Sequence, residues 1–243
     1  PEYKNAFTES SLLKLYLKKV LPSTVYHEIE PDLKRLSHRT ITEIVELAKD
    51  AESSLPQLMQ YDAYGNRIDE IKLSNGWKNL ARIASEEGLI SIAYEKKYGQ
   101  YSRLYQFAKL FLFSPVSAVY TCPLAMTDGA ARMIEVYGNS YMKDHAYKKL
   151  ISRDPNLSWT SGQWMTEKTG GSDVRNIETI AKYDNDHYHL FGKKWFSSAV
   201  TADMAMALAK INANNSMSKD VSVFYLETRN ADQKLNNIYI IVV

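Results

Sequence analysis

The sequence predicts an α+β protein: an all-helical first part over residues 1–157, then an antiparallel β part over residues 158–243. Three observations carry this reading. Before residue 155 apolar residues recur three and four apart, the spacing of helices with one covered face. After it the spacing falls to two, as in strands that bury alternate side chains. Between the two regimes lies "SRDPN", residues 152–156, a polar stretch containing proline that marks the boundary.

The elements follow in order. Leu12, Leu15, Tyr16 and Lys19 start an early helix, and Ile41, Ile44, Val45, Leu47 and Ala48 form the buried stripe of a second. "YDAYGNRIDEIKL" places a Gly65-Asn66 turn between two short extended pieces. Trp77, Leu80, Ala81, Ile83 and Ala84 mark a helix ended by Gly88, and Leu104, Phe107, Ala108, Phe111 and Leu112 another. From Pro123 to Tyr137 a helix has proline in its first turn and Gly138 just past its end, the asymmetry that helix termini favour. In the β part, "ETIAKYDNDHYHLFGKKWFSS" reads as a hairpin around Asp184-Asn185-Asp186. "DMAMALAKI" and "VSVFYLE" continue as strands, joined by the polar loop "NANNSMS". The final "LNNIYIIVV" reads as an apolar, strand-like edge with nothing to cover it, and the chain reads as the N-terminal piece of a longer protein.

Composition removes several function classes. A formal charge of +2 gives no bulk attraction to nucleic acid or to an anionic membrane. The lone Cys122 allows no internal disulfide and suits a reducing compartment. No apolar run reaches the roughly 20 residues that a spanning helix needs. No G-x-G-x-x-G or G-x-x-x-x-G-K-[ST] occurs, and Val174 stands where a nucleophile elbow needs its second glycine. His187 and His189 alternate on one strand, and with Cys122 far away they read as structural or solvated, so no metal site is expected. Glu86 and Glu87 are helix neighbours that do not face each other, and read as a solvated face.

What remains is "MTEKTGGSDV", residues 165–174. The set of Thr166, a glycine pair, Ser172 and a later Trp195 suits a flavin. A glycine pair lets main chain pass close to a diphosphate, and a large aromatic can cover a ring face and exclude water. The bland alternative is a glycine turn beside a core tryptophan. Finding both features on consecutive extended segments favours the flavin.

These residues also carry a resemblance. "WMTEKTGGSDV" and "GKKWFSSA" resemble the two flavin-site segments of the acyl-CoA dehydrogenase family, and "CPLAMTDGAARMIEVYG" resembles a helix of its AidB-like, adaptive-response branch. The resemblance implies a helical N-terminal domain and a barrel-like or sandwich β domain holding FAD, with a second helical domain beyond Val243 that bears the catalytic base. No catalytic residue is therefore assigned to this chain. The cofactor-binding set it implies is Trp164, Met165, Thr166, Gly171, Ser172, Trp195, Phe196 and Ser197. Of these, Met165 and Thr166 match positions at the flavin ring edge, and Ser172 one at the diphosphate and the acyl-CoA substrate. Trp195 matches the ring-covering tryptophan. Ser197 stands where the wider family more often has Thr, which keeps a hydroxyl but loosens its rotamer. The implied reaction is α,β-dehydrogenation of an acyl-CoA thioester by a homotetramer in the cytoplasm or an organelle matrix. The alternatives are a non-catalytic acyl-CoA, lipid or interaction module, and an alkylation-response protein whose DNA-binding part lies in the missing domain.

Overall fold

A computed structural model describes residues 4–213 and 216–241. The helical part opens with α1 (Ala6–Glu9) and α2 (Ser11–Val20). Then α3 (Ser23–Arg39) runs through a π-helical turn at Thr40–Ile44 into α4 (Val45–Ser53). Leu33, Leu36, Ile44, Val45 and Ala48 form the covered stripe along this continuous rod. A hairpin of β1 (Gln57–Tyr61) and β2 (Arg67–Lys72) follows. The next helix, α5 (Asn75–Glu86), starts where the Ser74 hydroxyl accepts the Trp77 N–H at 3.0 Å. Gly76 lets α5 begin directly against α4, since a Cβ there would lie 2.1 Å from the Leu47 carbonyl oxygen.

The part continues with α6 (Ser91–Glu95), α7 (Ser102–Phe113) and α8 (Thr121–Tyr137). The short α9 (Ser140–Met142) and α10 (Lys148–Leu150) flank a second π turn. Periodicity locates these helices but not which apolar face is covered. On α2 only Leu17 is buried, while Leu12 is 76% exposed; on α7 Ala108 and Leu112 are buried while Phe107 and Phe111 face outward. Leu12, Tyr16, Leu104, Phe107 and Phe111 line one open apolar groove.

Glu87 departs from the expected solvated face. It is buried just past α5, where its carboxylate accepts from Arg35 at 2.6 and 2.7 Å and from Lys109 Nζ at 2.8 Å, with Arg39 on the same group. Helical spacing marks residue pairs on one helix, whereas these cations come from α3 and α7. Glu86 does remain at the surface beside Arg82.

The β part has β3 (Ser161–Trp164), β4 (Ile180–Asp184), β5 (His187–Phe191), β6 (Met204–Ala213) and β7 (Ser216–Glu227) in one sheet. A helical part followed by a β part is the order that the sequence predicts. The sheet itself is mixed. β4–β5 and β6–β7 pair antiparallel, while β3 and β4 both run parallel to β6. Alternation reports which face is buried and carries no information on strand direction, so the parallel pairs were not legible. Strand pairing also runs into the expected loop "NANNSMS", with Asn212 opposite Met217 and Ala213 opposite Ser216; Asn214 and Asn215 lie outside the described residues.

β6 is the central strand. Its Met204 and Met206 join the helical core, while Ala205 and Ala207 pack on the other face with Trp164. One core therefore spans both parts. The predicted terminal edge takes a different form: after an isolated bridge at Leu235 the chain is irregular, and it is anchored to the β1–β2 hairpin. Ile240 is buried, donates its N–H to Asp69 at 3.1 Å and accepts from Arg67 at 3.1 Å. Val242 and Val243 lie outside the described residues.

Candidate cofactor site

β3 and β4 lie end to end along the same edge of β6. β3 pairs with Met204 to Ala207, and β4 with Lys210 to Asn212. Between them the chain leaves the sheet, and residues 165–179 form the excursion that contains "MTEKTGGSDV". This break would leave the Leu208 carbonyl of β6 without a strand partner. Lys194 fills it, donating from Nζ to that carbonyl at 2.7 Å. The same ammonium donates to Glu167 at 2.6 Å. Glu167 is 4% exposed and also accepts from the Glu178 N–H at 2.6 Å, the Thr179 N–H at 3.2 Å and the Thr179 hydroxyl. Burial pushes the Glu167 carboxyl up, but the Lys194 ammonium and the Thr179 donors outweigh it and hold the group below its ordinary range.

One residue after Lys194 and one before Glu167, the Trp195 N–H donates to the Thr166 carbonyl at 2.9 Å. The two segments that sequence reasoning paired are thus joined by a main-chain hydrogen bond, with a buried ion pair behind it. Trp195 is 46% exposed, and the Lys168 ammonium lies 4.5 Å from its ring centroid. Phe196, with a φ of 59°, is 84% exposed. Ser197 is half-buried, Ser172 is exposed, and Met165 packs against the helical core.

The two glycines differ. Gly170 is buried, and a Cβ there would lie 3.1–3.3 Å from Ile177 and the Asn176 main chain, so it serves the turn. Gly171 is exposed with nothing within 4 Å of where its Cβ would stand. Asp173 accepts the Arg175 N–H at 3.3 Å and caps the short turn at Val174–Asn176. Trp164 is buried, and its indole N–H has no hydrogen-bond partner among the described residues.

Exposed aromatics, an open glycine and a buried donor without a partner are what a chain presents to a flat, polar-edged ligand. The chain's residues therefore fit a flavin. Sequence reasoning named these residues but missed Glu167 and Lys194 as their support. The signal was present, an acid inside one motif and a lysine just before the tryptophan of the other, but only the break in the sheet edge makes them partners.

A helical part followed by a β part, with both motif segments at one edge of its central strand, defines the acyl-CoA dehydrogenase fold class. Residues 2–157 match the adaptive response protein AidB N-terminal domain, and residues 162–238 match the acyl-CoA dehydrogenase middle domain. The chain is 41% identical to acyl-CoA dehydrogenase family member 11 of Caenorhabditis elegans, over 99% of this chain and 41% of that protein. It is 28% identical to the putative acyl-CoA dehydrogenase AidB of Escherichia coli K12, over 69% of this chain and 33% of that one. Among solved structures, C. elegans ACDH-11 in complex with C11-CoA superposes with a TM-score of 0.95 at 40% identity, covering 99% of this chain and 42% of that chain. The chain belongs to the acyl-CoA dehydrogenase family, in its AidB-like branch. It spans less than half the length of these curated relatives.

Proposed function

We propose that this chain forms one wall of the FAD site of an acyl-CoA α,β-dehydrogenase, with residues 1–157 and 158–243 as its helical and flavin-binding domains. The Trp195–Thr166 hydrogen bond carries the reading, because it sets the two motif segments side by side on a buried ionic support. When bound, FAD supplies the acceptor for the hydride that leaves Cβ of the thioester. The chain's own residues bind and orient. Met165 and Thr166 meet the ring edge, Trp195 and Phe196 exclude water from it, and the Ser197 hydroxyl donates beside it. Gly171 and Ser172 receive the diphosphate, and Trp164 precedes the ring-edge residues in the same segment. That the C. elegans relative was solved with C11-CoA supports an acyl-CoA thioester as substrate. A homotetramer follows from the same resemblance.

Proton abstraction from Cα requires a base within hydrogen-bond reach of that proton. Glu167 is committed to Lys194 and Thr179, and Asp173 to its turn, so neither takes this role. A titration following quenching of flavin fluorescence tests the site. Thr166→Ala and Trp195→Ala should each weaken binding about 10-fold, the scale of a lost hydrogen bond or a lost stacking face. Binding by both variants equal to the parent's would place the flavin elsewhere.

A second reading, a non-catalytic acyl-CoA or lipid-binding module, rests on the open groove of Leu12, Tyr16, Leu104, Phe107 and Phe111. The colour of the purified protein separates the two, since FAD is yellow.

A further inference from the structure

The hairpin of β4 and β5 projects side chains that the flavin site does not use. Its tip is Asn185-Asp186, with Asn185 at a φ of 56°, a conformation asparagine tolerates. Register places Asp184 opposite His187 and Lys182 opposite His189, so all four share one face. On that face His187 Nε2 lies 3.2 Å from His189 Nε2, and His189 Nε2 lies 3.3 Å from Asp184 Oδ2. Three ligand-type atoms, one from each residue, fall within 4.8 Å of one another.

We propose that Asp184, His187 and His189 form a binding site for a late first-row divalent cation such as Zn²⁺. Bonds of about 2.0–2.1 Å in a tetrahedral shell put neighbouring ligand atoms about 3.3 Å apart, close to the separation of His189 Nε2 from each of the other two ligand atoms. The supporting contacts set the same orientation. His187 Nδ1 lies 2.8 Å from Asp186 Oδ1, so its proton belongs on Nδ1 and its lone pair on Nε2. The Asn185 amide donates to Asp184 Oδ1 at 3.1 Å, which leaves Oδ2 free to turn toward the histidines. Lys182, a cation on this face, has its ammonium 5.3 Å from the Phe191 ring centroid.

Without an ion, two imidazole nitrogens this close are compatible only if one holds a proton between them. The His189 Nε2–H does so, reaching both His187 Nε2 and Asp184 Oδ2. The cation takes its place, and the neutral His189 ring keeps its hydrogen by shifting it to Nδ1 through solvent, so the exchange needs no net proton release. Three protein ligands leave at least one coordination position for water. The ligands are exposed, so the ion reaches them without any opening of the fold.

The test is calorimetric titration of the untagged chain with ZnCl₂. One saturable equivalent is expected. His187→Ala and His189→Ala should abolish it, and Asp186→Asn should weaken it about 10–100-fold by freeing the His187 ring. His145→Ala, which alters a histidine far along the chain, should change nothing. Because the side chains of Asp186, His187 and His189 are exposed, circular dichroism of those variants should stay at the parental value. Absence of saturable binding, or a site that survives His187→Ala or is lost in His145→Ala, would overturn the proposal.

Discussion

In the helical part the carboxylate of Glu87 is buried among three cations from two helices, whereas in the β part that of Glu167 is buried against the single cation Lys194. The residues that follow Glu87, Gly88 to Tyr94, are all buried. Lys109 is 2% exposed and also meets Asp32, which accepts from Tyr105 as well. Around Glu167 the next residues in sequence turn outward: Trp195 and Phe196 on one segment, Gly171 and Ser172 on the other. Ionic chemistry alone does not separate a structural cluster from a functional support. The exposure of the neighbouring residues does, and on that basis the Glu87 cluster holds α3, α7 and the end of α5 together while Glu167 positions a site.

This comparison can be broken by mutation, and the largest effect is expected at Glu87. Glu87→Leu leaves buried Lys109 with half its counter-charge and should cost about 3–5 kcal/mol in urea denaturation. Flavin affinity, measured well below the transition, should hold.

Acid should attack the same cluster. At Glu87 burial raises the carboxyl pKa, but Arg35, Lys109 and Arg39 outweigh it and bring it to about 2; at Asp32 burial is likewise outweighed, chiefly by Lys109, again to about 2. Both folded values lie below the ordinary ones of 4.5 and 3.8. Their contribution is therefore complete above the ordinary range and is lost as pH falls toward 2. Stability measured from pH 6 down to pH 2 should drop steeply in the parent and less steeply in Glu87→Gln.

Glu167→Gln should show the opposite balance. It leaves Lys194 buried without its counter-charge, at a cost of about 1–3 kcal/mol, and it loosens the contact between the two motif segments. Flavin retention should fall by more than the stability loss alone explains. Equal sensitivity of stability and flavin binding in both Glu87 and Glu167 variants would erase the distinction.

The smallest stability change belongs to Gly171→Val. Nothing within 4 Å opposes the new side chain, so the transition should move by less than about 0.5 kcal/mol. Cofactor retention should nevertheless be lost, because the added bulk would stand at the proposed diphosphate position.

Much of this architecture was legible in the sequence. The Gly65 turn, the helix ending at Tyr137 and the hairpin tip at Asn185 all follow from local residue chemistry, which needs no partner. What was hidden depends on distant chain. The outward turn of Phe107 and Phe111, the parallel pairing of β3 and β4 with β6, and the burial of Glu87 are each decided by an element far away in sequence. The site divides the same way. Its aromatic and glycine residues stand within two short motifs, but their support is a gap in a sheet edge, and no local pattern encodes a gap. His187 and His189 were judged against Cys122, while the group that joins them lies across a turn at Asp184.

Residues 165–172 and 193–197 are proposed to act as one wall facing a flavin. Amide hydrogen exchange with and without saturating FAD tests it directly. The account predicts slowed exchange in both segments together, at the same FAD concentration, with the hairpin at 184–189 unchanged. Slowing in only one segment, or in the helical part with neither segment affected, would contradict it.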